Sequence, residues 1–185
     1  MNRARKVLVF GGLALAAFGM LYGLYYAVFV EHQTLDQMGG SLANAFVHAA
    51  QRQMADSRAA LDAYASVKYD YVRQVDVHSH WIGLAMLMIV LGAAFDRVAF
   101  GELPKLWIAW ALLAGSVLFP LGVILQTASH GSMFASALAI VGSALVIGAL
   151  AVTAFGFMRR RLLRSGSNTW GSMPLVQPAK YRFYI

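Results

Sequence analysis

The chain has 185 residues, of which 59% are hydrophobic and 12% charged. That is about half the charged share of a soluble domain, and so short a chain has too little interior to hide this much apolar side chain. The numbers rule out a disordered tail and argue against a water-soluble globule. The net charge is +7 and cysteine is absent, which removes disulfides, iron–sulfur clusters, thiolate metal sites and covalently attached c-type haem.

Four apolar stretches follow in chain order. Val7 to Val30 carries no charge over 24 residues. Its basic start (Arg3, Arg5, Lys6) and Ala14-Leu15-Ala16 suggest a signal peptide, but the apolar run continues to Val30, so it reads as an uncleaved anchor. Trp81 to Phe95 is only 15 residues, Leu106 to Gln126 is 21, and Met133 to Met158 is 26 and uncharged. A helix needs about 20 residues to cross the hydrocarbon core. The expected fold is an all-α membrane protein, a four-transmembrane-helix bundle with spans at about 7–30, 77–97, 105–126 and 133–158.

Residues 31–76 form the expected outer helical segment between spans one and two. Gly39-Gly40 reads as a break and Ser41 as an N-cap. From Ser41 to Ile82 there is no Gly or Pro, which predicts one long helix, or two with a kink, running into span two. Leu42, Phe46, Ala49 and Gln53 offer a weak apolar face. The loops at Gly101-Glu102-Leu103-Pro104 and Thr127 to Ser132 are tight, so spans two and three, and three and four, are expected to be antiparallel neighbours. Residues 159–185 read as a basic and aromatic tail.

Charge placement sets the expected orientation. With the N-terminus inside, eleven Lys and Arg face two acids (Asp96, Glu102) on the inner side, giving +9. Four basic residues face six acids on the outer side, giving −2, and the two together make the net +7. This positive-inside pattern puts both termini in the cytoplasm, of a bacterial inner membrane. Arg159-Arg160-Arg161-Leu162-Leu163-Arg164 follows an uncharged span and reads as a stop-transfer run on anionic lipid, with no nucleic acid as partner.

Gly12, Ala16, Gly19, Gly23 and Ala27 form a small-residue stripe on span one. It serves a tight bundle or a docking face for other membrane subunits. Span four has a similar row at Ser132, Ser136, Ala139, Ser143 and Gly148. Pro120 removes a helix bond to the Ser116 carbonyl and is expected to kink span three.

The histidines are the candidate chemistry. His32, His48, His78, His80 and His130 all fall at or near the outer face. Span two falls short of the bilayer and has to recruit residues outward through His80 and His78, or inward through Asp96-Arg97. Ionisable groups at that depth are functional candidates. Imidazole is a ligand for haem and for copper, zinc and iron. His78 and His80 are two apart and point to nearly opposite sides of a helix. The favoured ligand pair is therefore His80 with His130, holding haem b or else a metal ion, with His78 and His32 as alternatives. Asp76 or Glu31 is a candidate to orient a ligand imidazole. The bland reading is interfacial histidines beside Trp81 in an aromatic belt, with no cofactor.

His78-Ser79-His80 resembles the His-x-His of subunit I of the haem–copper oxidases and nitric oxide reductases, where neighbouring histidines ligate two haems. The resemblance covers three residues. Four spans and three further histidines are too few for that family's ligand set, so its activity is not carried over. No nucleotide loop, metalloprotease helix or nucleophile motif is present. Two function classes are expected: a haem-b electron-transfer subunit passing electrons between quinol and an outer-face acceptor, and a non-catalytic accessory or assembly subunit of a larger respiratory-type membrane complex.

Overall fold

A computed structural model describes residues 2–129 and 132–167, with side chains through Arg160. The described residues form five α-helices and no strand: α1 (Arg3–Phe29), α2 (Glu31–Ala50), α3 (Met54–Ala94), α4 (Glu102–Ala128) and α5 (Met133–Ser167). A short 3-10 turn, Phe95–Arg97, closes α3. α1, α3, α4 and α5 are each long and apolar enough to cross a membrane. Their outer surfaces are hydrophobic, with Trp107 75% and Phe10 63% exposed. Patches of that extent are foreign to the surface of a soluble monomer.

α1 and α2 are almost one rod. Val30 alone leaves helical geometry, and the ladder runs through it from Val30 N–H to Tyr26 O (2.9 Å) and from Thr34 N–H to Val30 O (3.1 Å). α3 returns antiparallel beside this rod for its whole length. Ser57 Oγ donates to Ala45 O (2.9 Å) near the tip, Tyr71 meets Glu31 lower down, and Gly12 abuts Ala85 O within the spans. α2 carries the hairpin about 30 Å beyond span one.

The hairpin corrects two expectations. Gly39-Gly40 is no break and Ser41 no N-cap, because α2 runs straight through both. A Cβ at either glycine meets nothing within 4 Å, so both lie on an open face. An interior helical glycine there costs about 1 kcal/mol against Ala but does not end the helix. The reversal comes instead at Gln51-Arg52-Gln53. Gln53 N–H bonds His48 O (2.9 Å), Arg52 N–H bonds Ala49 O (3.0 Å), and Arg52 takes φ 62°. That is a Schellman cap with arginine at the left-handed position usually held by glycine. His48 Nδ1 braces it, 2.7 Å from Gln53 Oε1. Arg52→Gly is expected to stabilise the hairpin by about 1 kcal/mol, since only glycine adopts this φ without a Cβ penalty. Slower amide hydrogen exchange at residues 45–57 is the readout, and unchanged or faster exchange there would contradict this cap.

α4 is the hub of the spans. It packs on α1, α3 and α5, whereas α5 packs along α4 and makes no extended contact with α1 or α3 among the described residues. The α4–α5 seam is backbone on backbone. A Cβ on Gly142 would stand 2.4 Å from Phe119 N, one on Gly122 2.5 Å from Ala139 N, and one on Gly115 2.7 Å from Gly142 O. The stripe that α5 buries includes Ala135, Ala139, Val146, Ala149 and Thr153. The row predicted from Ser132 to Gly148 shares only Ala139 with it. Gly148 faces open space, and Ser143 Oγ turns back to Ile140 O (2.9 Å). Pro120 is buried inside an α4 that continues past it, and the hydroxyl of fully buried Ser116 has no partner.

At the end opposite the hairpin, the basic end, Asp96 ties three elements together. It accepts from Asn2 Nδ2 (2.8 Å) and Arg5 Nη1 (3.2 Å), and its backbone carbonyl accepts from Arg160 Nη1 (3.2 Å). Gly156 seats the α3–α4 connection, and its carbonyl accepts from Ala99 N–H (3.2 Å).

Candidate functional site

The α3 turn from Gln74 to Trp81 presents two chemically different faces. Because successive helical residues rotate by about 100°, His78 and His80 part company here. α3 continues as regular helix through both and ends at Ala94, so the helix extends beyond the apolar run on the hairpin side.

His78 faces α1. Its Nδ1 donates to Gly19 O (2.9 Å), and its ring lies over Gly23, where a Cβ would come within 2.4 Å of Cε1. Gly12, Gly19 and Gly23 all abut α3, at Ala85, Trp81 and His78 respectively. Those three glycines of the stripe are therefore the seam of the hairpin. Trp81 is not in an exposed aromatic belt. It is 1% exposed, edge-on to Phe18 (4.9 Å) and Tyr22 (5.2 Å). Tryptophan at this depth fills the space that the small residues of α1 leave open.

His80 faces away from α1. Its Nδ1 donates to the Asp76 carbonyl of the preceding turn (2.6 Å), and its ring stands edge-on to Phe119 of α4 at 4.9 Å. A carbonyl only accepts, so in the neutral imidazole this bond places the proton on Nδ1 and the lone pair on Nε2. The residue is exposed. The Phe119 backbone meets Gly142 of α5, so His80 stands against the α4 residue that also forms the α4–α5 seam. The orienting group is Asp76's backbone, not its carboxylate.

The remaining histidines are elsewhere. His32 is exposed on the first turn of α2, its Nε2 3.5 Å from Asp36 Oδ2. His48 braces the hairpin tip. His130 lies outside the described residues. Among the described residues, no three His, Asp or Glu side chains converge as a metal site.

Sequence reasoning missed a polar seam between α1 and α3 just outside His78. The Tyr22 hydroxyl pairs with the Gln74 side-chain carbonyl, the Tyr26 and Tyr71 rings lie 6.4 Å apart, and Tyr71 donates to Glu31 Oε1 (3.2 Å). That hydrogen bond, then burial, then the Glu31 charge push the Tyr71 pKa up, which keeps its hydroxyl a donor. The signal was available: Tyr22 and Tyr26 follow Gly19 and Gly23 at the spacing at which Tyr71, Gln74 and His78 share one helix face.

These residues can do two things chemically. His80 offers one oriented, accessible imidazole nitrogen, the form that binds haem iron or a metal. In the α1–α3 seam Tyr22, Tyr71 and His78 are each hydrogen-bonded, to Gln74, Glu31 and the Gly19 carbonyl, while the buried Tyr26 hydroxyl has no partner. Compared with protein-family models, curated proteins and solved structures, the chain matches none.

Proposed function

We propose that the protein is a small integral membrane electron-transfer subunit that binds haem b through His80, with its histidine site at the outer face and both termini in the cytoplasm of a bacterial inner membrane. The observation that carries this reading is the His80 ring. Its Nδ1 is committed to Asp76 O at 2.6 Å while Nε2 stays free beside Phe119. Metal-binding histidines commonly have their other nitrogen held in this way. His130, in the α4–α5 connection, is the second ligand this reading names. Bound there, haem b supplies a one-electron couple. The chain's own part is to fix the imidazole tautomer and to wall the site with the Phe119 ring.

The test is the absorption spectrum of protein purified from cells supplied with haem, oxidised and then dithionite-reduced. A reduced haem-b α-band is expected, lost in His80→Ala and in His130→Ala and retained in His78→Ala, whose Nδ1 is held by α1. A spectrum without that band, with low metal content, would sink the reading.

A second reading, an accessory subunit of a larger complex, is favoured by one observation. The hairpin tip carries exposed apolar side chains on either side of its polar turn although it stands about 30 Å beyond the span, with Phe46 69% exposed and Val47 and Met54 more than half exposed. Exposed apolar tips of this kind mark partner contacts. Native-membrane pull-down is then expected to recover a stoichiometric partner that Phe46→Ser releases.

A further inference from the structure

Among the described residues, α1 and α4 are the one pair of extensively packed spans that run in the same direction, and two openings lie on the seam between them. The first is a crevice of about 340 Å³ at mid-depth, between Gly11 and Phe18 of α1 and Leu113 and Leu121 of α4, with Trp81 among its walls. It is apolar throughout except for the indole. The Trp81 N–H is buried and has no hydrogen-bond partner. The second is an opening of about 400 Å³ at the basic end, between Asn2 and Arg3 of α1 and Glu102, Leu103 and Leu106 of α4.

The two openings differ in chemistry as the two parts of a lipid do. At the basic end, each nearby carboxylate has a cation beside it. Asp96 is held by Asn2 and Arg5, and Glu102 lies 4.0 Å from Lys105, whose side chain is 8% exposed. Arg3 and Lys6 have no carboxylate partner among the described residues. α4 begins beside them at Gly101 with no side-chain cap, which adds the positive end of a helix dipole. The opening therefore attracts an anion despite the glutamate on its rim. From Arg3, the rise along α1 is about 12 Å to Gly11 and about 22 Å to Phe18. A single leaflet's hydrocarbon is about 15 Å deep. A chain anchored by its phosphate at Arg3 thus ends inside the crevice.

We infer that the α1–α4 seam is a binding site for one anionic phospholipid, its phosphate on Arg3 at the basic end and one acyl chain in the crevice beside Trp81. The inference rests on the membrane reading but not on haem binding. Its occupant is a lipid of the leaflet at the basic end, because a soluble anion would leave the apolar crevice unfilled.

Two single-tryptophan proteins test it in vesicles. One keeps Trp81 (Trp107→Phe, Trp110→Phe, Trp170→Phe), and the other keeps the outward-facing Trp107 (Trp81→Phe, Trp110→Phe, Trp170→Phe). Brominated phosphatidylglycerol or brominated phosphatidylcholine is added at equal, low mole fraction. Trp107 is expected to be quenched equally by both. Trp81 is expected to show a preference of about five-fold for the anionic lipid, the worth of one arginine at a charged surface, and Arg3→Gln is expected to abolish it. Equal quenching of Trp81 by the two lipids, or a preference that survives Arg3→Gln, would overturn the site. If neither lipid quenches Trp107, the membrane reading fails and takes the site with it.

Discussion

Gly142→Leu is expected to unzip α5 from α4 and to be the most damaging single change in the spans. The Cβ of any residue at 142 would stand 2.4 Å from Phe119 N, 2.7 Å from Phe119 Cα and 2.9 Å from the Leu118 carbonyl carbon. These are backbone atoms in the middle of a helix and cannot rotate aside. The helices must separate, and separation at 142 also opens the contacts of Gly115 and Gly122 on the same seam. Overpacking a rigid site typically costs 1–3 kcal/mol. Here the loss is expected to exceed about 3 kcal/mol, because dispersion across close backbones is what holds helices together in lipid and α5 has no second helix along which to pack. Gly148→Leu on the opposite face of α5 is the control. Nothing lies within 4 Å of its Cβ position, and no loss is expected there, only a gain of up to about 1 kcal/mol from replacing a glycine in a helix interior. Unfolding in mixed micelles reads both. Equal stability of the two variants would show that the α4–α5 seam is not formed as described.

The second large effect is expected at Gly23. Gly23→Val pushes a side chain into the His78 ring, whose Cε1 and Nδ1 would lie 2.4 and 2.5 Å from the new Cβ. The ring is held in place by the Nδ1 bond to Gly19 O, so it has to leave and give up that bond. Overpacking of about 1–3 kcal/mol and a lost hydrogen bond of about 1 kcal/mol add to a cost of about 3 kcal/mol. His78→Ala alone leaves a void over Gly23 and is expected to destabilise by about 2 kcal/mol. Together, the valine occupies the space the imidazole vacates, and the double variant is expected to be more stable than the sum predicts by about 1–2 kcal/mol. Strict additivity would mean that His78 does not pack on Gly23. The same variants separate packing from ligation, since a packing histidine can be replaced without moving a haem spectrum.

Much of the architecture is legible in the sequence because it follows from local quantities. The apolar runs predict four long helices, and α1, α3, α4 and α5 contain them. The opposed directions of His78 and His80 follow from helix rotation alone. The hairpin turn was not legible, since Gln51-Arg52-Gln53 contains none of the residues that normally punctuate a chain. The glycine pair that does look like punctuation is carried inside α2, where neighbouring residues maintain the ladder. Of the candidate site, the sequence marks the histidines but not their partners. That His78 is spent on α1, that His80 keeps Nε2 free, and that Tyr22 and Gln74 meet are facts of register between helices far apart in the chain.

By itself, then, the sequence determines four long apolar segments of helical length and an excess of basic over acidic residues outside the 31–77 segment. Hydropathy, helix rise and charge are properties of short windows and need no partner. Which small residues touch which helix only the tertiary structure decides. Gly12, Gly19 and Gly23 face α3, Gly115 and Gly122 face α5, and Gly148 faces outward. In a bilayer a lipid-facing and a helix-facing surface are both apolar, so hydrophobicity cannot distinguish them. The distinction is made by how closely two backbones fit, and Trp81, placed at the interface by its sequence neighbours, lies instead in the core because three glycines of α1 let that helix close against it.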